Sequence, residues 1–434
     1  MSIYDYEEAF EAWDLTTSPM RKAIDRWMAL YYEQPSTETG DPCQKIPYTV
    51  VNKLVKTIFG EYQAQCRDEQ GQKLLTVLNS LKRDAMQQML IGGECYLKPC
   101  VGQDGFSFTL IPRTNLLIFN RDGNGNPTDV GTVEKSLLGN AWYTLLERRR
   151  LDEDGYLTIE NKLYRSLNPD RLGSPADLHG HPRYAQLTKR FTYPEPMDSA
   201  GLVRLRTPML NCVDGSPDGV AVYAAAEGLI RNIDENEAQM NGEFSRGESR
   251  ILASADMLSG EGLTDHVFVG LDEDPEQVGI TVFSPALREQ SYLARKREYL
   301  RNVESLIGLK RGMLSDANAE KWTATEISSS SAEYNLTVME LQKVWQQAVH
   351  SAVVLCAKLA EVYHLPAIRD TQVLMDWGNG ILYDEDKTWQ QYLQMTEKGL
   401  ICPEIALGWR FHMPWDTPEQ QEKIRNLFMP EKDT

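Results

Sequence analysis

The sequence predicts an α+β protein with a mixed N-terminal half and a helix-dominated C-terminal half. Three observations predict it. Helix-period and strand-period apolar runs alternate up to about residue 215. Two helical stretches of opposite charge then flank a short β-like stretch broken by glycines and acids. Last, a strict 4-3-4-3 apolar spacing persists over some forty residues.

Residues 20–34, 48–66 and 73–91 carry apolar positions at helical period. From Gly92 the period shortens: "GGECYLKPCV", "GFSFTLIP" and "NLLIFN" read as strands, and "RDGNGNP" as a turn. "AWYTLLERRR" and "YLTIENKLYRS" flank "DEDG", which makes a hairpin with an Asp-Gly turn. Ser216 before Pro217 reads as an N-cap with proline at the first helical position. A helix is therefore expected over 217–247, with Val222, Ala226, Leu229, Ile233, Met240 and Phe244 on one face. Its charges are mostly acidic: Asp218, Glu227, Asp234, Glu235, Glu237 and Glu243 against Arg231 and Arg246.

Between 248 and 284, "RILAS", "HVFVGL" and "GITVFS" are short β-like pieces. Helix resumes at Pro285 with Leu293, Leu300, Val303 and Ile307 on one stripe and Arg288, Arg295 and Asn302 on another. This helix is basic, and Gly308 stops it. Lys310–Trp322 is too polar and small to form a core. Thr323 and Glu326 then form a capping box for a helix over 323–363, about 60 Å long at ~1.5 Å per residue. Its seam is Ile327, Ser331, Tyr334, Val338, Leu341, Trp345, Ala348, Ala352, Leu355, Leu359 and Val362. "TQVLMDWGNG" closes with a strand, followed by helices near 386–398 and from Pro403 and Pro418.

Composition bounds function. A chain of 434 residues supports two to four domains. The N-terminus, "MSIYDYEEAF", is acidic where a secretory leader is basic, and no run reaches the ~18 apolar residues of a membrane span. A soluble, cytoplasmically made protein is expected. The seven cysteines never form C-x-x-C and read as reduced thiols; "HGHP" at 179–182 reads as a polar loop, so no metal is expected. The net charge of −18 excludes uniform attraction to nucleic acid, though not a conduit whose weakly repulsive walls carry local cations. No phosphate loop, dinucleotide fingerprint, H-E-x-x-H or G-x-S-x-G is present. The sequence therefore gives no positive support for catalysis and calls for no cofactor.

Several local runs extend this reading. "GGECYLKPCV", "IDENEAQMNGEFSRGESRILAS" with Asp234, Glu243, Arg250 and Ile251, "LREQSYLARKREYLRNVESLIGL" ending in Gly308 and Leu309, "TATEISSSSAEY", and "VLMDWGNGILYDEDKTWQQYLQMTEKGLI" occur in this order. Together they resemble the portal proteins of tailed bacteriophages, in particular the branch in long-tailed phages of Gram-positive bacteria. The resemblance implies an α/β wing (1–216), a two-helix stem (217–247 and 285–308), a small β-containing clip (248–284), a tunnel loop (309–322), and a long helix with a helical crown (323–434). It also implies a dodecameric ring at one capsid vertex, a virion component through which double-stranded DNA enters and leaves. The implied partners are terminase, major capsid and scaffold proteins, and a head–tail connector (adaptor) protein.

Two stretches depart from the family pattern. "LKRGMLSDANAEKW" is not the usual glycine-rich, phenylalanine-containing tunnel loop, and the region after the long helix is short, which suggests a small crown. On this reading Lys310, Arg311 and Lys321 face the channel, although Lys310 and Arg311 equally suit the negative end of the preceding helix. Glu235 or Glu237 of one subunit would meet Arg297 or Arg301 of the next, unless both are ordinary solvated faces. The competing classes are another virion adaptor, usually far shorter, and an acidic hydrolase, which would need a cleft.

Overall fold

The computed structural model describes residues 3–34, 42–102, 105–246, 250–254, 267–270, 281–283, 287–315, 324–378, 385–411, 413–415 and 417–429. Side chains at 3–4, 246, 250–283, 324–331 and 385–388 lie outside the description. The chain divides into two compact units, Met1–Val55 with Cys66–Val373 and Lys56–Gln65 with Leu374–Thr434.

The elements run α1 (Ile3–Phe10), α2 (Ser18–Tyr32), α3 (Ile46–Ile58), β1 (Gln63–Cys66) and α4 (Glu69–Gly92), then β2 (Glu94–Gly102) and β3 (Gly105–Pro112). Strands β4 (Leu116–Arg121), β5 (Pro127–Leu138), β6 (Ala141–Leu151), β7 (Leu157–Ser166), β8 (Ser174–Ala176), β9 (Arg190–Thr192) and β10 (Val203–Arg206) follow. Next come α5 (Glu227–Arg246), β11 (Arg250–Ser254), β12 (Val267–Gly270), β13 (Thr281–Phe283), α6 (Glu289–Ile307) and α7 (Ala324–Val362). The chain closes with β14 (Val373–Asp376), α8 (Glu385–Glu397), α9 (Pro403–Arg410) and α10 (Pro418–Phe428).

In the larger unit, a six-stranded sheet is ordered β4-β5-β6-β7-β8 with β9 on β7, beside a three-stranded sheet ordered β10-β2-β3. The expected hairpin joins β6 to β7 in the register Leu151↔Leu157, with Gly155 at φ +85 in its turn. Strand β5, which the sequence reading does not identify, pairs along almost all of β6. Helix α4 packs against α2, α7, β2, β3 and β10, and Met20, Trp27, Leu75, Leu78, Met86 and Leu90 are almost wholly buried there.

Helix α7 follows the predicted seam through most of its described length: Tyr334, Val338, Leu341, Trp345, Ala348, Ala352, Leu355 and Leu359 are all buried, and the last seam residue, Val362, is half-buried. So are Gln342, Val349, Val353, Cys356 and Ala360 on the adjacent stripe. The buried face is thus wider than a coiled-coil seam and suits a helix set into a globular body. The three β-like pieces of the 248–284 region form a sheet ordered β12-β11-β13, parallel on one side and antiparallel on the other.

Two expected elements are corrected. The helix expected over 48–66 stops at Ile58, and Gln63–Cys66 is a strand paired with β14. Phe59 and Tyr62 leave the helix to meet Trp377, with the Tyr62 and Trp377 rings 4.6 Å apart. The helix expected from Pro217 starts only at Glu227, after a 3-10 turn at Ala224–Ala226. The Ser216 hydroxyl does not cap it and instead donates to Asp218 Oδ2 at 3.1 Å. The reason is tertiary. Residues 218–223 form a buried strap: the Val222 N–H donates to the Leu90 carbonyl at 2.9 Å, Thr207 Oγ1 to the Val220 carbonyl at 2.7 Å, and the Tyr223 hydroxyl to the Trp27 carbonyl at 2.9 Å. These bonds fix backbone groups outside a helix, and they override the local start signal.

The smaller unit contains the aromatic group Phe59, Tyr62 and Trp377, together with α8, α9 and α10. Thr417 and Gln420 make a reciprocal capping box at α10. Arg425 reaches the buried Glu404 at 2.6 Å. Among the described residues, no helix is long and apolar enough to cross a membrane.

Candidate functional site

The residues singled out from sequence fall on α5, α6 and the turn after α6, so the site is built from the root of α5 outward. Asp218, in the strap before α5, accepts from Arg113 at 3.2 Å and from Arg121 at 2.7 Å. Arg113 also lies 2.9 Å from Glu94, which Arg204 holds at 2.6 Å. Glu94, Arg113 and Asp218 are all buried. Each charge is matched, as burial requires. Beside this network Gly93, at φ +84, meets the backbone of Gly219 so closely that a Cβ on either residue would collide with the other's carbonyl. A second buried set joins the two sheets: Glu147 on β6 is 2.6 Å from Arg149 on the same strand and 3.3 Å from Lys98 on β2. Burial alone would raise the Glu147 carboxyl, but Arg149 and Lys98 hold it down at about 2.

Beyond the root, α5 and α6 run antiparallel, joined by a polar ladder. Glu243 accepts the Arg288 backbone N–H at 2.9 Å and its guanidinium at 2.9 and 3.2 Å. These hydrogen bonds lower the Glu243 carboxyl to about 2. Asn236 accepts from Arg295 Nε at 2.6 Å, and Gln239 from Arg295 Nη2 at 2.7 Å. Lys296 donates to Glu237 at 2.8 Å and to Gln44 at 2.9 Å. Arg288 and Arg295 both lie over the Tyr292 ring, 5.8 and 5.7 Å from its centroid. The seven-residue recurrence of Arg288 and Arg295 therefore faces α5 of the same chain. Phe244 near the end of α5, Leu287 just before α6 and Leu306 in the last turn of α6 are exposed.

Of the expected ring-contact residues, Glu237 is engaged with Lys296 and Arg301 with Glu298 at 3.7 Å, both within the chain. Glu235 is exposed and accepts from Gln239 at 3.2 Å, and Arg297 is half-buried on α6. A single chain does not bring Glu235 or Glu237 together with Arg297 or Arg301.

The turn after α6 is more ordered than its composition suggests. Gly308 ends the helix in the left-handed region at φ +73, and a Cβ there would lie 2.5 Å from Thr337 Oγ1 on α7. Leu309 and Ser315 are buried. Between them Lys310 and Arg311 are exposed, on a turn closed by the Met313 N–H to the Lys310 carbonyl at 3.1 Å. The Leu309 N–H takes the Glu304 carbonyl at 2.8 Å, so backbone groups serve the helix end. The Glu304 side chain, fully buried, accepts from the N–H groups of Gly312, Leu314 and Ser315 and from the Ser315 hydroxyl at 2.6–3.1 Å. Sequence reading did not single out Glu304. The signal was present, since Glu304 sits four residues after Leu300 and beside Val303, inside the apolar stripe of α6.

Lys321 and Thr323 lie outside the described residues, as does the side chain of Glu326, although α7 begins at Ala324, next to the expected cap. His181 packs on Tyr184 with centroids 4.5 Å apart and on Tyr143, a structural use for the "HGHP" loop. Among the described residues, one trio brings possible metal-ligand atoms within 4.8 Å: Glu33, Cys43 and Asp234. The Asp234 carboxylate already accepts the Gln44 N–H. Burial, with the two neighbouring carboxylates, pushes the Cys43 thiol up and disfavours a thiolate ligand.

The family model described as phage portal protein, SPP1 Gp6-like, matches residues 196–425. The sequence matches no curated protein. Two solved structures are similar over 93% of this chain. One is the neck of a native GTA particle computed with C12 symmetry, with TM-score 0.48, 12% identity and 98% of that chain covered. The other is the neck of an empty GTA particle computed with C6 symmetry, with TM-score 0.48, 13% identity and 97% of that chain covered.

Proposed function

The chain belongs to the phage portal protein family, SPP1 Gp6-like, which makes it a structural ring subunit of a phage particle, and from that premise we propose how its parts serve the ring. The reading is carried by the family match, which spans α5, β11–β13, α6, the following turn, α7 and the first C-terminal helices. In this proposal residues 1–216 are the wing, 217–247 and 285–308 the stem, 248–284 the clip, 309–322 the tunnel loop, and 323–434 the long helix and crown. Twelve copies close into a ring made in the host cytoplasm and built into a capsid vertex, with capsid and scaffold proteins around it. Double-stranded DNA passes through the centre, driven by a terminase and later released through a head–tail adaptor. The portal subunit itself contributes no catalysis.

A cyclic ring uses two different faces of each subunit. Phe244, Leu287 and Leu306, exposed on the stem helices, are suited to burial against neighbours. Because Glu237 and Arg301 are engaged within the chain, the charge pairing across the interface narrows to Glu235 with Arg297. Lys310 and Arg311 form the cationic band that touches phosphates transiently, while the overall charge of −18 prevents tight holding.

Electron microscopy of the purified protein tests the assembly, with closed rings around a central hole expected and monomers or small compact oligomers counting against it. Glu235→Arg or Arg297→Glu alone should lower ring yield and the pair together restore it; intact rings in both single variants would remove the proposed pairing. Replacing Lys310 and Arg311 by alanine should reduce DNA retention in packaged particles, and unchanged retention would remove the channel role.

A further inference from the structure

We propose that Glu304 is the positioning residue of the cationic turn, a buried latch that presents Lys310 and Arg311 from a fixed step. The inference rests on the channel reading of those two cations.

Its physical content is independent of that reading. A carboxylate wholly removed from water needs its lone pairs filled. Among the described residues Glu304 fills them without a cation: Oε1 takes the Leu314 N–H at 2.6 Å and the Ser315 N–H at 2.8 Å, while Oε2 takes the Gly312 N–H at 3.1 Å and the Ser315 hydroxyl at 3.0 Å. All four donors come from the four residues that follow Arg311. The carboxylate thus folds that backbone back onto the last turns of α6. Gly312, at φ +83, supplies the left-handed conformation the fold-back needs. Buried Leu309 on one side and buried Ser315 on the other pin the two ends of the turn, and Gly308 seats it against Thr337 of α7.

The consequence concerns how a polyanion is met. Cations on a mobile loop pay to order the loop at every contact, which weakens the contact. Cations on a fixed step meet each phosphate from a constant position without that cost. A latch therefore strengthens the brief contacts on which DNA retention draws.

The test uses intact rings. Hydrogen exchange of the wild-type protein should show protected amides at Gly312, Leu314 and Ser315; exchange there at the rate of an unfolded peptide would overturn the latch. Glu304→Gln keeps the shape but turns an amide N–H toward donors, so trypsin should cut after Lys310 and Arg311 about tenfold faster in the variant, with rings unchanged. Equal cleavage in the two proteins would also overturn it. If Glu304→Gln does not assemble, Ser315→Ala removes the hydroxyl donor alone and should raise cleavage by a smaller factor, and no rise would count against the latch.

DNA retention separates this proposal from the reading beneath it. Glu304→Gln should lower retention in wild-type background and add nothing to Lys310→Ala with Arg311→Ala, whereas a merely structural residue would add its own loss. If the double alanine variant retains DNA normally while the amides are protected, the channel role of the cations fails and the latch stands as a fold element only.

Discussion

The root of α5 and the ladder that joins α5 to α6 are built from the same residue types, yet they hold the chain in different ways. At the root, Glu94, Arg113 and Asp218 are buried and surrounded by packed backbone. Along the ladder, Arg288 is 73% exposed where it meets Glu243, and Lys296 and Glu237 are both wetted. Buried charges are costly to strand, so each acts as a constraint on the others. Exposed ones exchange water for a partner at little net gain and contribute mainly register. The lesson is that buried charges set before α5 fix its origin, while exposed charges along it align it with its partner.

The comparison breaks most sharply at Arg113. Arg113→Ala leaves Glu94 to Arg204 and Asp218 to Arg121, and a loss of about 3–5 kcal/mol is expected from removing the buried partner the two carboxylates share. A urea-unfolding midpoint equal to wild type would show that the root is not a constraint.

Acid sharpens the contrast. Both Glu147 and Glu243 are held at about 2, below the ordinary carboxylate value. Each stabilising contribution is therefore complete above the unfolded value of ~4.3 and fades as pH falls from there through about 2. High salt should separate the two, because screening at ~1 M reaches only ~3 Å and weakens exposed pairs first. Hydrogen exchange should show loss of protection near Arg288 at low pH and high salt, with β6 around Glu147 responding to pH but little to salt.

The smallest effect is expected at Glu237. Glu237→Gln should cost about 0.2–1 kcal/mol, and the difference from wild type should vanish in high salt. A loss as large as that at Arg113, insensitive to salt, would place the ladder in the same class as the root.

What sequence could reveal follows the same division. Elements set by local pattern were legible: α2, α4, α7, the β6–β7 hairpin, β11–β13 and the helices opening at Pro403 and Pro418. The strap at 218–223 was not, because Leu90, Thr207 and Trp27 are distant in sequence and pull its backbone out of a helix. β1 and β5 were missed for a related reason, as "QAQC" is too short to show alternation and β5 is defined by its partner β6. Within the candidate site, Lys310 and Arg311 were visible as cations past a helix stop. Glu304 was hidden by the expectation that an acid on a helix faces water. The intrachain use of Glu237 and Lys296 could not be read, because charge sign on two helices does not say which residues share a rung.

The contact of Gly93 with Gly219 leaves no clearance between the body and the strap that leads into α5. In engineering language the α5–α6 pair is a cantilever built in at one end rather than a rod on a pivot. A sideways load at its far end bends it rather than swinging it, so its stiffness is governed by the ~30 Å of α5 and its partner.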